Sequence, residues 1–236
     1  MTDATAQSGA RPDTIRQTDS HVITICNQKG GVGKTMLTLS LAAHTAASHG
    51  RALVVDVDPQ ASAHDLTAVM QDPGYDVVHE LDPRELTRVK ELRGYDTVLV
   101  DCPGSLEGRD VLTEVLARST YVLIPYDHTP ESIMPTVRTV RDVKASGVPY
   151  AVVVTKADPR LGEDHIRDAW ATLESADIRY FRSAIRLYRA WPNSITAGVP
   201  ITRWNERYAP KLREDIGAVH TELLLDLGRR VHAGSA

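Results

Sequence analysis

The sequence predicts an α/β fold, a mostly parallel sheet flanked by helices on both faces. Three observations predict it. Short runs of β-branched, apolar residues recur along the chain, each is separated from the next by a helical stretch, and the first run passes into the first helix through a glycine-rich turn. Strands that are apolar on both faces belong in sheets covered on both sides.

The elements follow in order. Residues 1–20 are rich in Thr, Asp, Ser and Gln, with little that could pack, and are expected to form a flexible arm. Residues 21–236 are read as a single domain. Val22 to Cys26 forms the first buried strand, and residues 34–49 a helix stopped by Gly50. Ala52 to Val55, Thr97 to Val100, Tyr121 to Ile124 and Tyr150 to Val154 supply further strands. Helical segments are expected at 107–117, 131–145 and 163–174, with a last helix over 207–228. Of the 236 residues, 42% are hydrophobic, enough for a sizeable core, and the net charge is −4. With two cysteines, Cys26 and Cys102, there is no disulfide framework, which suits a reducing cytosol. The polar start has no signal-peptide character, and no run approaches the ~20 apolar residues of a membrane span, so a soluble, cytoplasmic protein is expected.

Chemistry concentrates in Lys29-Gly30-Gly31-Val32-Gly33-Lys34-Thr35, between the first strand and the first helix. Glycines let successive backbone N–H groups turn inward around an anion, and the helix start adds a favourable dipole. Lys34 would reach the β- and γ-phosphates and the Thr35 hydroxyl would ligate Mg²⁺, the arrangement of a P-loop nucleoside triphosphatase. The general pattern wants Gly where Gln28 stands and does not ask for Lys29. In both departures the loop resembles the deviant Walker loop of the ParA/MinD ATPases. The resemblance implies that Lys29 reaches across an ATP-bound homodimer to the partner's phosphates, so that Lys29, Lys34 and Asp58 carry catalysis.

Two carboxylate segments follow. Asp56-Val57-Asp58-Pro59-Gln60 ends the second core strand, where open α/β sheets place ligand groups. By the same resemblance Asp56 is the carboxylate near the metal and Asp58 the one that positions the attacking water. Tyr95 to Gly104 resembles the Walker B strand and second switch, with Asp101 a magnesium ligand through water; many relatives carry proline where Gly104 stands. Thr155-Lys156-Ala157-Asp158 resembles the base-reading Thr-Lys-x-Asp of some related GTPases. The remainder looks like the ATP-using branch, in which Gly198-Val199-Pro200-Ile201 would line adenine. Nucleotide contacts are therefore expected at Lys29 to Thr35, Asp158, Pro200 and Ile201, with ATP and Mg²⁺ as cofactors and Thr35, Asp56 and Asp101 around the metal. Cys26 and Cys102 are read as packed thiols rather than cluster ligands.

Positive charge gathers between Ile178 and Arg213: eight basic residues against Glu206 give this segment +7 and leave −11 on the rest. Six aromatics lie among them. Clustered Arg and Lys supply most non-specific duplex affinity, and Arg182, Arg186 and Arg189, then Arg203 and Arg207, are the expected DNA contacts. Taken together, the resemblance implies a partition ATPase: a homodimer on ATP, bound to non-specific double-stranded DNA and nucleoid-associated, released when a ParB-like protein stimulates slow hydrolysis. Alternatives are a MinD-like membrane switch and a metabolic ligase of the dethiobiotin synthetase type. Glu222 and Asp226 interrupt the leucine cluster of the last helix, which points away from the membrane and toward packing on the core.

Overall fold

The computed structural model describes residues 20–82, 85, 88, 94–104 and 109–233. The expected arm at 1–20 lies outside them except for Ser20. Seven strands form one parallel sheet in the order β3-β2-β4-β1-β5-β6-β7. They are β1 (His21–Ile25), β2 (Ala52–Asp56), β3 (Asp76–His79), β4 (Thr97–Asp101), β5 (Tyr121–Tyr126), β6 (Tyr150–Ala157) and β7 (Tyr180–Arg186). Helices α1 (Lys34–Ala47), α2 (Ser62–Ala68), α3 (Arg109–Arg118), α4 (Ile133–Ser146), α5 (Gly162–Ser175), α6 (Ala190–Thr196) and α7 (Ala209–Ala233) cover it.

Alternation along each strand divides the core in two. Ile23, Ile25, Val54, Leu99, Leu123 and Val153 pack with α1 and α7 on one face. Val22, Val55, Val98, Val100, Ile124 and Val152 pack with Val115 of α3, Val140 and Val143 of α4, and Leu173 of α5 on the other. Because β1 sits between β4 and β5, the chain turns from one half of the sheet to the other beside it, and a crevice opens at its carboxyl end.

Four elements were not expected from the sequence. Strand β3 is a four-residue edge strand, while α2 and α6 are single short helices. Strand β7 lies inside the basic segment, burying Phe181 and Ile185 and exposing Arg182. Helix α1 ends at Ala47, two residues early, because His49 adopts φ 64 ahead of Gly50.

The outer border of β7 is closed by α7. The N–H groups of Arg182 and Ser183 donate to the two Glu222 oxygens at 2.9 Å each, and Arg186 N–H donates to Asp215 at 3.0 Å. Asp226 lies beneath, accepting from the Tyr121 hydroxyl at 2.7 Å and pairing with Arg179 and Arg230. The acids that seemed to interrupt an apolar helix thus dock it. Leu223 and Leu227 pack into the core, whereas Leu224 and Leu225 are exposed.

Candidate nucleotide site

The phosphate loop leaves β1 and is fixed at its base by a buried amide. Asn27 Nδ2 donates to the Pro125 carbonyl at 2.8 Å and to Thr136 Oγ1 at 2.9 Å, while its Oδ1 accepts from Lys29 N–H at 3.0 Å. Gln28, at the deviant position, donates to Asp142 of α4 at 2.9 Å. On the other side Thr155 Oγ1 donates to the Val32 carbonyl at 2.7 Å, and Lys156 donates to the Gly31 carbonyl. Gly31 and Gly33 have φ of 79° and 93°, a region that side chains rarely adopt. Gly33 opens α1 with no side-chain hydrogen bond capping it, so its first amides are directed toward the crevice.

Lys34 is buried and donates to the Lys29 carbonyl at 3.2 Å. Burial lowers its pKa, with Asp101 the main opposing influence. Thr35 Oγ1 donates to Asp101 Oδ2 at 2.7 Å, and Thr38 Oγ1 to Oδ1 at 3.1 Å. Asp101 is nonetheless pushed up to about 7, first by burial and then by the neighbouring Asp56 charge. A carboxylate in that position gains from a cation. Thr35, Asp101 and Asp56 offer only oxygen, which suits a hard dication such as Mg²⁺. Among the described residues no group of three or more His, Cys, Asp or Glu could hold a metal ion.

Asp56 is fully buried and holds the turn that follows it. Its Oδ1 accepts from Asp58 N–H at 3.0 Å, and its Oδ2 from Ala63 and His64 N–H at 2.8 and 3.0 Å. Asp58 then lines the crevice, its Oδ1 accepting from Gln60 N–H at 2.9 Å. Gly104 closes the far side so tightly that a Cβ there would stand 3.0 Å from Lys34 Nζ and 3.2 Å from Gly30 Cα. Lys29 is half-buried at the base of the loop.

The crevice holds about 490 Å³ and gathers Gly30, Gly31, Gly33, Lys34, Thr35 and Asp58 at its polar end. Its other end is an apolar wall of Met36, Leu187, Tyr188, Trp191 and Pro192, none of which was expected as site residues. Their signal is positional: Leu187 and Tyr188 directly follow β7, the neighbour of β6.

Three expected base contacts are not brought to this crevice. Asp158 faces a separate cavity, and Arg160 engages its carboxylate with Nε 3.0 and 3.1 Å from the two oxygens. Pro200 and Ile201 are buried away from it, since Gly198 N–H to Ile195 and Gln71 N–H to Gly198 bonds tie their turn to the end of α2.

The basic segment is also less free than its sequence suggests. Arg186 pairs with Asp215, Arg179 with Asp226 and Arg203 with Asp72. Arg213 donates to the Trp204 carbonyl at 2.6 Å. Arg186 and Arg203, both expected as DNA contacts, are thus held in ion pairs in this structure. Arg182, Arg189, Arg207 and Lys211 are exposed and carry no ion pair among the described residues. Arg182 lies over the Tyr180 and Trp170 rings at 4.9 and 5.6 Å, and Arg207 over Tyr208 at 5.1 Å.

A parallel sheet with this loop at its central strand, and two buried carboxylates at the ends of adjoining strands, defines a P-loop nucleotide-binding protein. The family described as CobQ/CobB/MinD/ParA nucleotide binding domain matches residues 23–216. The chain belongs to this family, on its ParA/MinD ATPase side. It is 36% identical over 208 residues to the maintenance of carboxysome distribution protein A of Gloeobacter kilaueensis, covering 86% of this chain and 93% of that protein. It is 29% identical over 176 residues to the chromosome-partitioning ATPase Soj of Thermus thermophilus, covering 58% and 70% of the two chains. The solved ATP complex of a Cyanothece McdA variant superposes with a TM-score of 0.70 at 16% identity, over 87% of this chain and 97% of that one.

Proposed function

We propose that this ATPase is a partition switch. ATP with Mg²⁺ closes two copies over the phosphate loops, the closed dimer binds duplex DNA without sequence preference, and slow hydrolysis, stimulated by a ParB-like partner, releases it. Lys34 and the loop amides hold the phosphates, and Thr35, Asp56 and Asp101 stand where the ion would be. Asp58 orients the attacking water. Lys29 serves the partner's nucleotide. The adenine lies against the apolar wall of Leu187, Tyr188 and Trp191. Arg182, Arg189, Arg207 and Lys211 meet phosphates of the DNA.

The observation that carries this proposal is a set of exposed cations without an ion pair among the described residues: Arg189 and Lys211 adjoin Tyr188 and Leu212 of the crevice lining in sequence, and Arg182 and Lys211 line the neighbouring cavity, which shares Arg186 and Tyr188 with the crevice. A nucleotide that reshapes that lining can change how the cations are presented, and a ligand shifts only an equilibrium between states it binds unequally.

The cargo admits a second form. The relative from Gloeobacter, similar along almost its whole length, is named for distributing carboxysomes, which favours a body of that kind as cargo. A membrane is no part of the proposal: Leu223 and Leu227 of the terminal cluster pack into the core, while Glu222 and Asp226 bond to β7 and to Tyr121. Liposome flotation with ATP should recover no protein.

Duplex binding by the apo, ADP and non-hydrolysable-ATP forms at ~50 and ~200 mM salt tests the switch. Affinity should appear with the ATP analogue and fall steeply with salt. Equal retention in all three forms would end the proposal.

A further inference from the structure

The turn that leaves α2 is gripped by the segment that leaves α6. Gln71 N–H donates to the Gly198 carbonyl at 2.7 Å. Gly198 has φ +64, and a Cβ on it would stand 2.6 Å from the Val69 carbonyl oxygen, so only glycine fits without displacing that turn. Arg203 reaches the same place. Its Nη2 donates to the Gln71 carbonyl at 2.7 Å and to the Asp72 carbonyl, and its Nη1 to Asp72 Oδ2 at 3.1 Å. A planar fork that meets three acceptors fixes a turn in a way that a flexible ammonium does not.

The opposite end of α2 is held by Asp56, which also receives the Asp58 N–H. Between these anchors the helix has seven residues, roughly 10 Å of rigid rod. A shift of the gripped turn therefore arrives at the Asp56–Asp58 turn with little lost on the way.

We propose that Arg203 and Gly198 are positioning residues for hydrolysis: through α2 they set where the Asp56–Asp58 turn presents its carboxylates to the crevice. The proposal rests on Asp58 orienting the attacking water. It assigns Arg203 a task different from the DNA contact that its charge suggests.

Turnover and ATP affinity should be measured separately for the full chain and for Arg203→Ala, Arg203→Lys, Gly198→Ala and Asp58→Ala. Arg203→Ala and Gly198→Ala should lower kcat about three- to tenfold with ATP affinity unchanged, the size expected of coupling through packed elements. Arg203→Lys, able to reach one acceptor, should recover part of the loss. Hydrogen exchange of the amides over 62–68 should quicken in Arg203→Ala, although the substitution is more than a hundred residues away in sequence. The slope of log DNA affinity against log salt should not change.

Wild-type kcat in Arg203→Ala, in a protein that Asp58→Ala slows, would overturn the proposal and leave the reading of Asp58 intact. A salt slope reduced by about 0.9 in Arg203→Ala, with kcat unchanged, would overturn it in favour of a phosphate contact. Wild-type turnover in Asp58→Ala would remove the role of Asp58 and the proposal with it. Should Gly198→Ala fail to fold, the two Arg203 variants decide.

Discussion

The Arg186 guanidinium meets the Asp215 carboxylate at two points, Nε lying 3.1 Å from Oδ1 and 3.0 Å from Oδ2, while the Arg186 amide donates to the same carboxylate at 3.0 Å. One acid thus secures both the side chain and the backbone of the last residue of β7. Arg186 lines both the nucleotide crevice and the neighbouring cavity, and Asp215 lines the latter.

Arg186→Ala should therefore act on stability. It leaves the Asp215 side chain, 8% exposed, without its counter-charge, at a cost of about 1–3 kcal/mol. Thermal melting should show the loss, and the salt dependence of DNA binding should keep its slope.

Arg189→Ala should do the reverse. This side chain is exposed and carries no ion pair among the described residues, so melting should be unaffected. DNA affinity of the ATP-analogue form should weaken, and the salt slope should fall by about 0.9, one phosphate contact. An unchanged slope would exclude Arg189 from the interface.

The two lysines of the loop should separate. Lys34→Ala removes a buried cation from the phosphate cradle and should abolish ATP binding in a calorimetric titration. Lys29→Ala, at the half-buried base of the loop, should retain most of the affinity yet elute as a monomer with the ATP analogue. Equal loss of nucleotide in both variants would contradict their division of labour.

Asp58→Ala should bind ATP, dimerise and remain closed, because no acceptor orders the water for attack. Gel filtration after prolonged incubation with ATP should still show the dimer, whereas the parent chain returns to monomer.

Acid should loosen the α1–α7 contact. The His220 and His44 rings meet edge to face at 5.0 Å, with Thr45 Oγ1 3.5 Å from His220 Nε2. Burial, then the His44 charge, holds His220 down at about 4, against 6.5 when solvated. Between those values the unfolded chain binds the extra proton and the folded one does not, so stability falls as pH drops from about 6.5 towards 4. Asp101, pushed up from 3.8 to about 7, adds a slope of opposite sign in the same window, so the His220 share is read as the difference between melting scans of the parent chain and of His220→Leu.

The strands that lead to the site were legible because they are apolar on both faces, and the loop because its glycines and lysines have a spacing that chemistry demands. Strand β7 was hidden by its own charge: Arg182 and Arg186 drew notice to a basic segment, although Phe181 and Ile185 already alternated with them. The partners of those cations lay beyond reach of a local count. Asp215 follows two residues after the window closes, and Asp72 is 131 residues from Arg203. The apolar wall of the crevice was equally obscure, since Met36, Leu187 and Trp191 come from α1, the segment after β7, and α6, and share no motif. Short α2 has no apolar stripe to announce it, and what it connects emerges only when both of its ends are seen bonded.

Because Glu222 and Asp215 occupy amides along the exposed margin of β7, a neighbouring copy has no row of donors there on which to lay a strand. Growth of the sheet from molecule to molecule is blocked on that side by charge as well as by bulk. In the proposed switch the chains join at the crevice end instead, where a soluble nucleotide, rather than protein concentration alone, would decide when two molecules meet.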